Sequence, residues 1–147
     1  MCLLKITKVH EVPLPEERLA WKILATSCSE WQFPYRGEHP AMVGVWMKAN
    51  PVVIHTDQTV VEYVSGFHVY PTRKEAEKAH QEGSFPFDDK HVVAVRVRGI
   101  RTEGIDGSFG LDIGVDLNLT NWVADEMFIP ITPEQLFDGA QAKLEEE

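Results

Sequence analysis

Apolar and polar residues alternate most cleanly at Leu111, Ile113, Val115, Leu117 and Leu119, with Asp112, Gly114, Asp116, Asn118 and Thr120 between them. A period of two is that of a strand with one wet face. A second run, His91 to Arg98, is rich in Val and places Val93, Val95 and Val97 on one face, as a central strand requires. Between these runs lies the stretch Gly99 to Gly107, whose Asp106-Gly107 pair is a hairpin-turn signal, so an antiparallel pair is expected. Further strand candidates are Trp21 to Thr26, Val43 to Lys48, Val60 to Val64, Phe67 to Tyr70 and Trp122 to Ile129.

Two helices announce their own starts. Thr72 with Glu75 forms a Thr-x-x-Glu capping box ahead of Ala76 and Ala79, and Gly83 can supply the left-handed residue that ends this helix. Thr132 with Gln135 repeats the box, and Pro133 falls at the first helical position, where its missing N–H costs nothing. Leu136, Phe137, Ala140 and Leu144 then follow at one-face spacing. The acidic end of the chain opposes the helix dipole, so residues 142–147 are expected to be mobile. Seven strands with two short helices and no long linker predict a single domain over residues 1–147. Its expected class is α+β, a twisted, mainly antiparallel sheet or partly closed barrel.

Composition supports an ordinary globule: 147 residues, 44% hydrophobic and 25% charged. Against 23 Asp and Glu stand 14 Lys and Arg, a net charge of −9 that six protonated His would reduce only to −3. Such a field repels nucleic-acid backbones and anionic lipid surfaces. The one basic cluster, Arg96, Arg98 and Arg101, is too small to reverse it and reads as a solvated strand face. No run reaches the roughly 20 apolar residues of a membrane span. Cys2 and Cys28 match no disulfide framework, and reduced cytoplasmic thiols are the default. The His at 10, 39, 55, 68, 80 and 91 never fall three to five residues apart, so neither a local metal site nor a cofactor fingerprint is read from the chain.

Candidate chemistry gathers in a few places. His68 follows Gly66 on a strand shared with Tyr70 and is either a proton carrier facing a cavity or an interior His held by hydrogen bonds. Tyr35-Arg36-Gly37, beside Trp31, Phe33 and Pro34, is either an anion clamp or a packed loop. Trp31, Tyr35, Arg36, Trp46, His68 and Tyr70 are the candidates for partner or ligand binding, since aromatic rings and Arg carry interface energy out of proportion to their number.

At Cys2-Leu3-Leu4, Trp31 to Gly37, Gly44-x-Trp46, Ser65 to Tyr70 with Ala76, and the Val92 to Pro130 block, the chain resembles a loose set of short uncharacterised proteins from phages and bacteria. They begin Met-Cys-Leu and carry a Gly-Phe-His line followed by a helix. The resemblance covers residues 1–130 and implies no activity. It accords with a non-catalytic accessory protein that binds a host protein or a small ligand. Tyr35-Arg36-Gly37 together with Asp125 to Pro130 also resembles ADP-ribosyltransferase-like enzymes. That resemblance implies phosphate binding by Arg36 and a catalytic role for Glu126. The chain departs from the pattern in lacking a Ser-Thr-Ser element and in carrying Ala124 where a second polar residue is usual. An enzyme would bring Arg36, His68 and either Glu103 or Glu126 into one concave site; a binding protein would leave Trp31, Tyr35 or Trp46 in an exposed apolar patch.

Overall fold

A computed structural model describes residues 5–27, 30–33, 40–49, 53–56, 61–82, 90–106, 119–137 and 139. Its elements are, in chain order, β1 (Lys5–Leu14), β2 (Arg18–Ser27), β3 (Glu30–Gln32), β4 (Pro40–Ala41), β5 (Trp46–Lys48), β6 (Val53–Thr56), β7 (Val61–Val64), β8 (Phe67–Val69), α1 (Arg73–Glu82), β9 (Lys90–Asp106), β10 (Leu119–Phe128) and α2 (Pro133–Phe137). The α+β class is as the alternation indicates, a mainly antiparallel sheet with two short helices.

Strand β9 is the spine. Along one edge it pairs first with β2, from Lys90↔Ala25 to Val97↔Arg18, and then with β1, from Ile100↔Leu14 to Ile105↔Lys5. Its other edge pairs with β10 from Arg96↔Phe128 to Asp106↔Leu119. The far edge of β10 takes β8 and β5. Tyr70, just past β8, then bridges to Trp21 of β2 through two backbone hydrogen bonds of 2.8 and 2.9 Å. The circuit β9, β10, β8, β2 therefore returns to its start, and the sheet curls into a partly closed barrel.

Inside the curl lie Ala20, Leu24, Trp31, Val69, Val93, Val95, Val97, Ile100, Met127, Ile129 and Ile131. Outside it, α1 lays Ala76 and Ala79 against Ile23, Tyr70 and Leu119, with Trp21 and Val92 packed alongside. Both faces of β2 and of the first half of β9 are thereby covered. Thr72 Oγ1 accepts the Glu75 N–H at 3.2 Å, as a capping box requires. The Glu75 carboxylate meanwhile takes the Thr72 hydroxyl at 3.0 Å and the Thr120 N–H at 2.7 Å, tying the helix start to β10. The second box is fully reciprocal: Thr132 Oγ1 accepts from the Gln135 N–H, and Gln135 Oε1 accepts from the Thr132 N–H.

Two expectations change here. The stretch from Gly99 to Asp106 is not a connection but the second half of β9. Gly99 adopts φ +73°, and beyond it the inward side switches from Val93, Val95 and Val97 to Ile100. The ladder with β10 changes register by one residue further on, between Ile100 and Thr102, as at a β-bulge. A glycine expected to open a connection instead lets one strand change faces without stopping. Helix α2 also ends earlier than the apolar spacing suggested: Phe137 is its last residue, and the Gly139 N–H closes back on Leu136 O at 3.1 Å. The alternating run at 111–118, Gly83, Gly107 and residues 140–147 lie outside the described residues.

Gly99→Ala tests the switch. A Cβ there would stand 2.9 Å from Asp125 Cβ, on a backbone in the left-handed region. The variant is expected to lose about 2 kcal/mol of unfolding free energy in urea, with the denaturant slope unchanged.

Candidate functional site: a desolvated lysine beside an open groove

Strand β2 turns Ala20, Lys22 and Leu24 to the inner side of the curl, because Trp21 and Ile23 are claimed by the α1 side. Lys22 lies across from Val93 of β9. Its Nζ donates to the backbone oxygen of His68 at 2.8 Å and rests 5.6 Å from the centre of the Phe33 ring. The residue is half-buried, and burial of the charge lowers its pKa from 10.5 to about 8.

His68 is held on both ring nitrogens. Nδ1 lies 3.1 Å from Gly66 O, and Nε2 lies 2.8 Å from the Tyr63 hydroxyl. A carbonyl oxygen only accepts, so Nδ1 carries the proton and Nε2 accepts from Tyr63. Burial first, and the neighbouring Lys22 charge second, depress the His68 pKa from 6.5 to about 3, against the opposing pull of the Gly66 bond. The imidazole is neutral at physiological pH, donating through Nδ1 to Gly66 O and accepting at Nε2 from the Tyr63 hydroxyl. Gly66 is itself required by closeness: a Cβ there would stand 2.5 Å from the Ala124 backbone oxygen.

Tyr63 connects this interior to the surface. It forms part of the wall of an open groove of about 470 Å³, lined also by Val9, His10, Glu11, Val53, Val64, Arg101 and Thr102. A polar chain thus runs from the groove through the Tyr63 hydroxyl and the His68 ring, and by way of the His68 backbone oxygen to the Lys22 ammonium.

The other expected site residues lie elsewhere. Trp31 is sealed, 1% exposed, with its indole N–H on Ile131 O at 2.8 Å. Tyr70 is buried in the cluster beneath α1. These two rings do not form a wet recognition face, because strand closure and the helix cover them. Trp46 is half-buried against Phe128, with the Arg98 guanidinium 4.0 Å over its ring. Arg98 is also bonded to Glu126; the contact holds the Glu126 carboxyl below its usual pKa and raises that of Arg98. Glu103 accepts from the Trp122 indole at 3.1 Å and pairs with His10 at 2.8 Å. Arg101 binds Asp125 at 2.7 Å. The arginines read as a solvated stripe are, at positions 98 and 101, cross-strand ion-pair partners. Arg96 is partly buried on the same strand. Among the described residues, His68, Glu103 and Glu126 therefore belong to three separate sets of partners. Tyr35 and Arg36 lie outside the described residues.

Lys22 escaped the reading of the sequence because a lone Lys in an apolar strand marks a wet face by default. The signal that could have exposed it is its parity with Ala20 and Leu24. Among the described residues no three His, Cys, Asp or Glu side chains gather to hold a metal ion, and no helix is long and apolar enough to cross a membrane. No protein-family model, curated protein or solved structure matches the chain.

The His68 environment sets a pH dependence with a definite sign. The unfolded chain takes up a proton near pH 6.5, whereas the folded one resists until about 3. This contribution to stability is complete above 6.5 and is eroded as pH falls toward 3. Urea midpoints measured across that window should show wild type losing about 1 kcal/mol more per pH unit than His68→Gln. Parallel curves would mean that His68 is not buried as a neutral base.

Proposed function

We propose that the protein acts by binding rather than by catalysis, as a cytoplasmic accessory protein of phage or bacterial type. Its recognition surface is the groove between β1, the β6–β7 pair and β9, and its partner is an extended, basic segment of a host polypeptide. The observation that carries this reading is apolar surface left wet around the groove: Val9 is 63% exposed, Val12 76% and Val53 47%. Exposed valines on strands are where a partner chain gains most by covering them.

Two further features favour a polypeptide over a small molecule. Among the described residues β1 has a single strand neighbour, β9, so its outer edge offers backbone donors and acceptors for strand addition. The groove is wide and open, whereas small ligands are usually taken into enclosed pockets that bury most of their surface. The charge of −9, with exposed Glu11 and Glu17 on and beside β1, suits a basic partner and speeds its encounter. The transferase alternative gains no comparable support, since Glu126 is committed to Arg98, Glu103 to His10 and Trp122, and both His68 nitrogens to Tyr63 and Gly66.

Selection from a random peptide library on the immobilised protein checks the reading. Enriched peptides should alternate aliphatic with Lys or Arg residues, and their affinity should fall with added salt. A Val9→Asp, Val12→Asp double variant should bind them at least about tenfold more weakly while unfolding at the wild-type urea midpoint. Peptides that bind the double variant as well as wild type would place recognition elsewhere.

A further inference from the structure

The Lys22 ammonium has more bonding capacity than the described residues around it use. It carries three donors, of which one goes to His68 O at 2.8 Å. The described residues supply it with no carboxylate. Among the described residues, the groups beside it are the neutral His68 from β8, its register partner Val93 on β9 and the Phe33 ring that follows β3. A half-buried lysine with no counter-ion among the described residues has the setting that activates amines as nucleophiles.

We propose that Lys22 is a carbonyl-reactive site at which a small uncharged aldehyde condenses with Nζ to form an imine. The Nζ lone pair adds to the carbonyl carbon while the C=O π pair moves to oxygen. A proton then passes from nitrogen to oxygen, giving the carbinolamine. Loss of that hydroxyl together with the remaining N–H proton, as water, leaves the nitrogen pair to form the C=N bond, with no oxidant or reductant consumed. His68 O fixes the direction of one N–H, and the Phe33 ring offers an apolar face for the aldehyde's substituent. Anionic carbonyl compounds are disfavoured by the charge of −9. This inference is independent of the groove and stands or falls separately from it.

Magnitudes decide whether such a site would stand out. With its pKa at about 8, roughly a tenth of Lys22 is neutral at pH 7, about 300 times the neutral fraction of an ordinary lysine. Lower basicity costs nucleophilicity by roughly half of that logarithm, as it does for thiols, leaving a net advantage of about tenfold to twentyfold.

The experiment treats the intact protein with propanal and sodium cyanoborohydride, which reduces any imine to a stable secondary amine, and quantifies each lysine by peptide mass spectrometry. At pH 7, Lys22 should be alkylated about tenfold faster than the exposed Lys8, Lys48, Lys74 and Lys78. Its rate should level off above about pH 8 while theirs continue to rise, and prior unfolding in urea should abolish the difference. Lys22→Met should remove the fast-labelled position alone. Lys22 reacting no faster than those four lysines, or rising in parallel with them to pH 10, would overturn the proposal.

Discussion

A strand in the middle of a sheet must find hydrogen-bond partners along both edges, and in this molecule that obligation falls on a single 17-residue strand, β9. No one neighbour is long enough to satisfy it. One edge is divided between β2 and β1, and β10 runs along the opposite side. Because β1 and β2 share an edge, the chain between them advances along the spine rather than around it. A strand this long cannot stay flat, since twist accumulates with each pair. Gly99 releases it by allowing the inward side to change partway along, and the curl then lets Tyr70 reach Trp21 and close the circuit.

Closure has an electrostatic consequence. Once α1 occupies the outer side of β2, whatever alternates with Trp21 and Ile23 must go inward, including Lys22. The ammonium is not there because the interior offers it an anion. It is there because the strand's period leaves it no other direction. Burial lowers the pKa of both Lys22 and His68, and the Lys22 charge lowers that of His68 further. Around the barrel's flank the opposite regime holds: Arg98 with Glu126, Arg101 with Asp125 and His10 with Glu103 pair across adjacent strands in partial contact with water.

What could be read in the chain was local. The Thr72 and Thr132 boxes act through residues three apart, and Val93, Val95 and Val97 announce their shared face by period alone. Strand β1 was not legible, because its lysines and Pro13 give no clear alternation and its pairing depends on residues some ninety positions away. Gly99 carries the same local signal whether it turns a chain or lets a strand change faces; only β10 lying alongside decides. Trp31 and Tyr70 read as recognition rings because Trp and Tyr serve both cores and interfaces, and the choice rests on which distant elements cover them. Of the site, His68 could be named from its neighbours. Its partner Tyr63 is only five residues away, yet it belongs to the separate β6–β7 sheet, and its place beside His68 depends on how that pair sits on the main sheet.

The indole of Trp31 is fastened to the carbonyl of Ile131, a hundred residues further along. During synthesis the front half of the chain therefore has no way to seal its largest interior side chain until nearly everything else has left the ribosome. Early strands must wait, apolar and unpaired, for the late ones that complete them. A chain with this order of assembly is most vulnerable while it is being made, when self-association competes with closure.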